Sequence, residues 1–381
     1  MLKKYLLSPG PTPVPEEVML EMAKPMIHHR TPQFSKIFSN VREKLKPLFG
    51  TKEDVIILAG SGTAAMEASV VNTMSPGDKI LVVNAGKFGK RWIDIAESYS
   101  VSVESINLPW GRSVTAAQIE EKLISNPEIK GVFVQASETS TTVYHPVKEI
   151  AEVVKLRENT IFVVDGITSV GVYETKMDEW GIDILVTGSQ KAFMLPPGLA
   201  FIVLSEKAWK FVETSKSPRF YLDLKRERKA QNNDTTAYTP AVSLIIGLKK
   251  VLEIMENEGL DNIYNRHQVC AEATREAAKA LGFRLLAENI PSNAATGIIM
   301  PEDFDGQKFV KSMRDDSGIT FAGGQDHMKG KIVRISHLGY HDFMDTIIAV
   351  SAFEMGIKKA GLDIELGAGV AAAEKIIIDH I

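Results

Sequence analysis

The chain has 381 residues, 44% of them hydrophobic and 24% charged, with 44 Lys plus Arg against 48 Asp plus Glu. That composition excludes a disordered regulator, and a net charge of −4 excludes an extended basic face for nucleic acid or an anionic membrane, leaving a small molecule as the expected partner. The length suits about two or three domains.

The opening MLKKYLLSPGPTP is too short in apolar residues for a signal-peptide core, and no run approaches the ~18 residues of a membrane span. From residue 55 to 205, β-rich runs recur: Val55–Leu58, Lys79–Val83, Ser102–Ile106, Gly131–Gln135, Ile161–Asp165, Ile184–Gly188 and Leu199–Leu204. Most are unbroken apolar runs, as expected of strands buried on both faces of a mostly parallel sheet. The last follows its predecessor across Pro196–Gly198, too short a link for a helical crossover, so this pair is expected to be antiparallel. KRERK at 225–229 reads as a solvated segment, and a helix is expected to open at Pro240. From about residue 259 the pattern becomes α+β. It holds a long helix through Ala271–Leu281, a strand at TGIIM, a helix after Asp305–Gly306, a strand at KIVRIS and a final helix around DTIIAVSAFEMGIKKAG. Cys270, the single cysteine, can close no intrachain disulfide, fits a reducing cytoplasmic setting and reads as packed in the long helix.

Three places could carry chemistry. In GSQK, Lys191 follows directly on an apolar strand. At the C-terminal end of a buried strand it would lie in the crevice where open α/β sheets bind ligands, and desolvation there makes an amine nucleophilic; the alternative is a solvated loop lysine. In IFVVDGITSVG, Asp165 ends a strand and could hold a cation, or could simply cap a turn. In AGSGTAAMEA, Gly60, Ser61, Gly62 and Thr63 stand between a strand and a helix, where backbone amides and the helix dipole favour a phosphate; the alternative is a tight connection. Gly60, Gly62 and Ala65 also satisfy GxGxxA, but the next strand runs into Asn84 and Ala85 where a nicotinamide site needs an acid. A phosphate cradle, a carboxylate and a reactive lysine at strand ends of one sheet are together the parts that hold pyridoxal phosphate. Asp165 and Lys191 are 26 residues apart, which fits one strand-helix-strand step.

The ordered motifs SPGPTPVP, SGTAAMEA, NAGKFGKRW, ASETSTTV, VVDGITSVG, GSQKAFMLPPG, AYTPAVS and VRISHLGY resemble the class V aminotransferases of pyridoxal-phosphate fold type I, over nearly the whole chain. Within them the chain is most similar to the alanine-glyoxylate and serine-pyruvate branch. The resemblance implies an α/β fold with a large domain on a seven-stranded mostly parallel sheet at 21–258, a smaller α+β C-terminal domain at 259–381, and an N-terminal segment at 1–20 near the active site. It implies pyridoxal 5'-phosphate as cofactor, with Lys191 as the Schiff-base lysine, Asp165 on the pyridine nitrogen, and Ser61, Gly62, Thr63 and Gln190 around the phosphate. Phe88 would stack on the ring, with Trp92 one helical turn on as a competitor, and Thr139 would meet the phenolic oxygen.

Thr239 would reach the phosphate of the other subunit in a homodimer. Thr236 stands where relatives often place a tyrosine, and Tyr238 is two positions away, so a second cross-subunit contact stays open. Arg334, with Gly10, would bind the substrate carboxylate, since a planar guanidinium grips a carboxylate with two parallel hydrogen bonds. The implied reaction moves an amino group from alanine or serine to glyoxylate or pyruvate. A lyase of the same fold and a non-catalytic relative are the alternatives. His28, His29 and Arg30 form a basic cluster of open role, and His337 with His341 is not expected to bind metal, because no HExxH is present.

Overall fold

The computed structural model describes residues 2–381, and its largest sheet has seven strands, numbered along the chain. They are β1 (Val55–Gly60), β2 (Lys79–Asn84), β3 (Ser102–Asn107), β4 (Ile129–Gln135), β5 (Ile161–Asp165), β6 (Ile184–Gly188) and β7 (Gly198–Leu204). Their order is β1-β7-β6-β5-β4-β2-β3. β7 runs antiparallel to both neighbours and all other pairs are parallel, because the short link across Pro196–Gly198 turns the chain straight back.

Alternation within β5 explains the unbroken apolar runs. Phe162 and Val164 pack on one side with the helices Pro32–Phe49 and Val242–Glu258, while Ile161 and Val163 pack on the other with the helix Gly62–Thr73. Both faces are covered, so neither set of side chains meets water. The KRERK stretch is solvated along its basic side chains but not on its inner face. It lies in the helix Leu224–Gln231, capped by Asp223, with Glu227 and Gln231 buried on its inner face and Arg226 and Lys229 exposed. The four-residue spacing of Glu227 and Gln231 puts them on one side of the helix.

The helix Leu260–Ala280 leads to a second sheet of four strands, β8 (Arg284–Leu285), β9 (Ala295–Ile299), β10 (Ala322–Gly323) and β11 (Ile332–Ser336), antiparallel in the order β8-β9-β11-β10. It packs on the helices Gly306–Ser317 and Phe343–Lys359 through Phe309, Met313 and Phe353. A further helix, Ala368–Ile377, follows the one expected to be last and packs through Ala373 and Ile377 on Val269, Ala273 and Ala277. Its alanine-rich sequence has little contrast between faces, so periodicity does not mark it.

An N-terminal strap joins the two sheets. Tyr5 and Leu6 pair with Ile319 and Thr320, Leu7 enters the core of the second sheet, and Thr12 donates its hydroxyl to the Lys191 carbonyl at 3.0 Å. Among the described residues no helix is long and apolar enough to cross a membrane.

Candidate active site

Lys191 lies in the turn after β6, is 9% exposed, and donates from Nζ to the Pro9 carbonyl of the strap. Burial pushes its amine down to about 8, helped by the Arg334 guanidinium and opposed by Asp165. Gly10 has φ of +123°, and a Cβ there would fall 2.1 Å from Lys191 Nζ. Only glycine lets the strap cross the lysine this closely. The structure therefore brings Gly10 against the lysine itself.

Asp165 ends β5 on the strand beside β6, 5% exposed, and its Oδ1 accepts the Ile167 N–H at 2.8 Å. Burial pushes its carboxyl up to about 7; the nearby Glu138 adds to this, while the Ile167 N–H, Arg91 and Lys191 oppose it.

One cavity gathers Ser61, Gly62, Thr63, Phe88, Thr139, Asp165, Gln190 and Lys191, each of them expected from sequence. Ser61 precedes the helix Gly62–Thr73 without spending its hydroxyl on a cap. Gln190 has its Oε1 buried and without a protein partner. Phe88 rather than Trp92 faces the cavity, for Trp92 is fully buried and stands edge-on to Phe133 in the core. Thr139 and Thr168 place their hydroxyls 2.8 Å apart, and Thr168 is held by the Ser137 carbonyl.

Sequence reasoning missed Arg91, Ser137, Ile167 and Thr168, which complete the lining. Arg91 donates from Nη1 to Thr63 Oγ1 at 3.1 Å, and its guanidinium lies 4.8 Å over the Phe88 ring. Its position three residues after Phe88, on the same helical face, was the available signal.

Arg334 sits on β11 between β9 and β10, 6% exposed. Nε and Nη2 donate to the Gly323 carbonyl at 3.1 and 2.8 Å, and Nη1 donates to the Thr139 carbonyl at 2.7 Å. A guanidinium has five N–H groups, so two remain for a ligand carboxylate. Burial pushes it down to about 10, with Glu138 opposing.

Thr239 lies outside this cavity, in a surface depression with Met26, His28 and His29. Thr236 donates to the Tyr238 carbonyl at 2.5 Å, Tyr238 donates to the Phe220 carbonyl, and Arg30 holds the Thr235 hydroxyl and the Thr236 carbonyl. Arg30 thus steadies the loop that carries Thr239, while His28 and His29 stack on each other. His337 is occupied by Thr296 and Asn293, His341 by Thr346. Cys270 is buried in the helix Leu260–Ala280, where burial pushes its thiol up to about 11.

A buried lysine and a buried aspartate at adjacent strand ends, beside a helix start, define an enzyme of the open α/β kind with its crevice at the carboxyl edge of the sheet. The chain belongs to the class-V aminotransferase family, whose model matches residues 4–345. It is 41% identical to a soluble hydrogenase small subunit from Synechococcus sp. (strain PCC 6716), over 98% of each chain. It is 36% identical to an L-aspartate-glyoxylate aminotransferase from Paracoccus denitrificans (strain Pd 1222), over 96% of this chain and 94% of that one. To a serine-glyoxylate aminotransferase from Hyphomicrobium methylovorum it is 35% identical, over 97% and 93%. Its fold is fold type I: the solved ureidoglycine-glyoxylate aminotransferase of Bacillus subtilis superposes with a TM-score of 0.93, at 26% identity over 99% of each chain.

Proposed function

We propose that this chain is a pyridoxal 5'-phosphate-dependent aminotransferase that moves an amino group from alanine or serine to glyoxylate or pyruvate. The observation that carries the reading is Lys191 and Asp165 facing one cavity from adjacent strand ends, each drawn by burial toward neutral pH. Two of its relatives are named glyoxylate aminotransferases, which supports the acceptor.

The side chains fit the cofactor. The unspent Ser61 hydroxyl and the helix start at Gly62 and Thr63 suit a phosphate, and the Gln190 side chain at the same cavity has an NH2 group that can donate to it; Phe88 offers a ring face, Asp165 a carboxylate for the pyridine nitrogen, and Thr139 a hydroxyl for the phenolic oxygen. When bound, the cofactor supplies an electron-withdrawing ring that stabilises negative charge at the substrate's α-carbon. Asp165 holds a proton at the ring nitrogen, since a cation beside it favours its ionised form. Lys191 Nζ, with its proton affinity lowered, is the base that takes the α-proton and hands it back. Arg334 uses its two remaining N–H groups to fix the substrate carboxylate and so orients the α-carbon toward Lys191.

Two further parts of the reading concern the assembly and the donor. Thr239, outside its own cavity and in one depression with the exposed Met26, suits a homodimer in which it reaches the partner's phosphate. Arg91 favours a second donor, aspartate, whose side-chain carboxylate would meet this additional guanidinium. The single buried cysteine supplies no thiolate set for an iron-sulfur centre and fits a cytoplasmic enzyme.

The test is an assay of the cofactor-loaded protein with alanine, serine and aspartate against glyoxylate, pyruvate and 2-oxoglutarate. Turnover of alanine or serine with glyoxylate or pyruvate is the expected result. Turnover confined to aspartate moves the donor assignment to the second reading, and no turnover together with no borohydride-sensitive visible band overturns the function.

A further inference from the structure

We infer that Glu138 is a positioning residue for the stacking aromatic: its carboxylate caps, from a neighbouring segment, the helix that carries Phe88, and so sets where that ring stands against the cofactor. The inference rests on the pyridoxal-phosphate reading.

The helix Lys87–Ser98 begins at Gly86, which has no side chain to cap it. The first amides of any helix lack an intrahelical acceptor, and a helix usually answers with a Ser, Thr, Asp or Asn at the cap position. Here the acceptors come from Glu138 and Ser140, some fifty residues along the chain. Ser140 Oγ accepts the Lys87 N–H at 2.9 Å, and Glu138 Oε2 accepts the Phe88 and Gly89 N–H groups, both at 3.0 Å. Glu138 Oε1 in turn accepts the N–H and the hydroxyl of Ser140. All four contacts of the carboxylate itself, from the Phe88, Gly89 and Ser140 N–H groups and the Ser140 hydroxyl, are donors, so the site is matched to the ionised acid at the positive end of the helix dipole.

Gly86 is the counterpart of this arrangement. A Cβ there would lie 2.5 Å from Glu138 Cδ and 2.4 Å from Ser140 Oγ. The residue that cannot cap its own helix is the one that admits Glu138. Fully buried, Glu138 has no reason to be acidic on packing grounds, and desolvation raises its pKa while the Ser140, Gly89 and Phe88 donors pull it back. Thr139, between the two capping residues, lines the cavity and holds Arg334 through its carbonyl. One turn therefore sets the stacking ring on one side and the guanidinium on the other.

The experiment is a double-mutant cycle on pyridoxal phosphate affinity, titrated into cofactor-stripped full-length protein by absorbance, with the visible circular dichroism of the bound cofactor as a second readout. E138Q keeps the shape and removes the charge; it is expected to weaken the cofactor about tenfold and reduce the dichroism, as loss of a helix cap scales. Phe88→Ala is expected to weaken it similarly, and the double variant to bind no more weakly than Phe88→Ala alone, because no ring is left to position. Losses that multiply in the double variant, or wild-type binding by E138Q, overturn the inference; a merely structural acid would give the multiplicative result. If E138Q does not fold, Ser140→Ala takes its place in the cycle: a smaller, non-multiplying loss with Phe88→Ala supports the inference and unchanged affinity overturns it. A wild-type chain that binds no pyridoxal phosphate removes the cofactor reading and this inference together, whereas wild-type binding with an unchanged variant removes this inference alone.

Discussion

Desolvation moves Lys191 and Asp165 in opposite senses and brings them to one region of pH, the amine down to about 8 and the acid up to about 7. A lysine at about 8 is neutral in about one molecule in ten at pH 7, against fewer than about one in a thousand for a free lysine. Lys191→Ala is expected to abolish borohydride trapping of the cofactor and to lower turnover by about a thousandfold; a variant that still traps it would move the role to another lysine. For Arg334 the planar fork is the point. Arg334→Lys keeps the charge but not the paired donors, and is expected to raise KM for the amino donor about thirtyfold. A KM left where it was would remove the carboxylate role.

At the scale of elements, β1 is an edge strand of the large sheet, and its outward backbone needs partners. The Gln231 side chain supplies them, donating to the Ile57 carbonyl at 2.7 Å and accepting the Ile57 N–H at 3.0 Å, as a neighbouring strand would. Glu227 holds that amide and also accepts the Ala237 N–H, so the helix from KRERK ties the sheet edge to the loop of Thr239. Gln231→Ala leaves two buried backbone groups unpaired and is expected to cost about 2 kcal/mol in urea unfolding, with KM unchanged. A loss within error of zero would mean that water replaces the amide.

For the whole molecule, four buried histidines make stability depend on acid. Burial pushes His267 down to about 3, His145 and His341 down to about 4, and His337 well below the usual range. The unfolded chain takes up protons from about pH 6.5 while the folded chain does not, so stability is full above that pH and is lost as pH falls below it. The carboxyls of Glu53, Glu138, Asp165, Glu227 and Asp345, all raised by burial, act in the other direction, and the prediction is that the four histidines outweigh them, because each is driven well below the ordinary range. The melting temperature is expected to be lower at pH 5 than at pH 7.5, and equal values would exclude the histidines as the cause. The assembly makes a separate prediction: the protein is expected to sediment as a dimer, with Thr239→Ala weakening cofactor binding about threefold to tenfold, and a fully active monomer would sink the cross-subunit contact.

The sequence by itself determined the seven strands, the antiparallel turn at β7 and, in the cavity, Ser61, Gly62, Thr63, Asp165 and Lys191, because unbroken apolar runs, a small-residue strand-to-helix link and strand-end Asp and Lys are local signals, whereas Phe88, Thr139 and Gln190 came through the family resemblance. It also carried the family, through motifs spread along the chain. Only the tertiary structure decided the rest. It chose Phe88 over Trp92, turned Glu227 and Gln231 of a charged run inward, set Gly10 against Lys191 and joined Glu138 to a helix it does not follow in sequence. Each of those is a contact between distant segments. Local pattern names the residue types that can make such contacts, but burial and the pairing of hydrogen-bond donors with acceptors across the fold select which of them do.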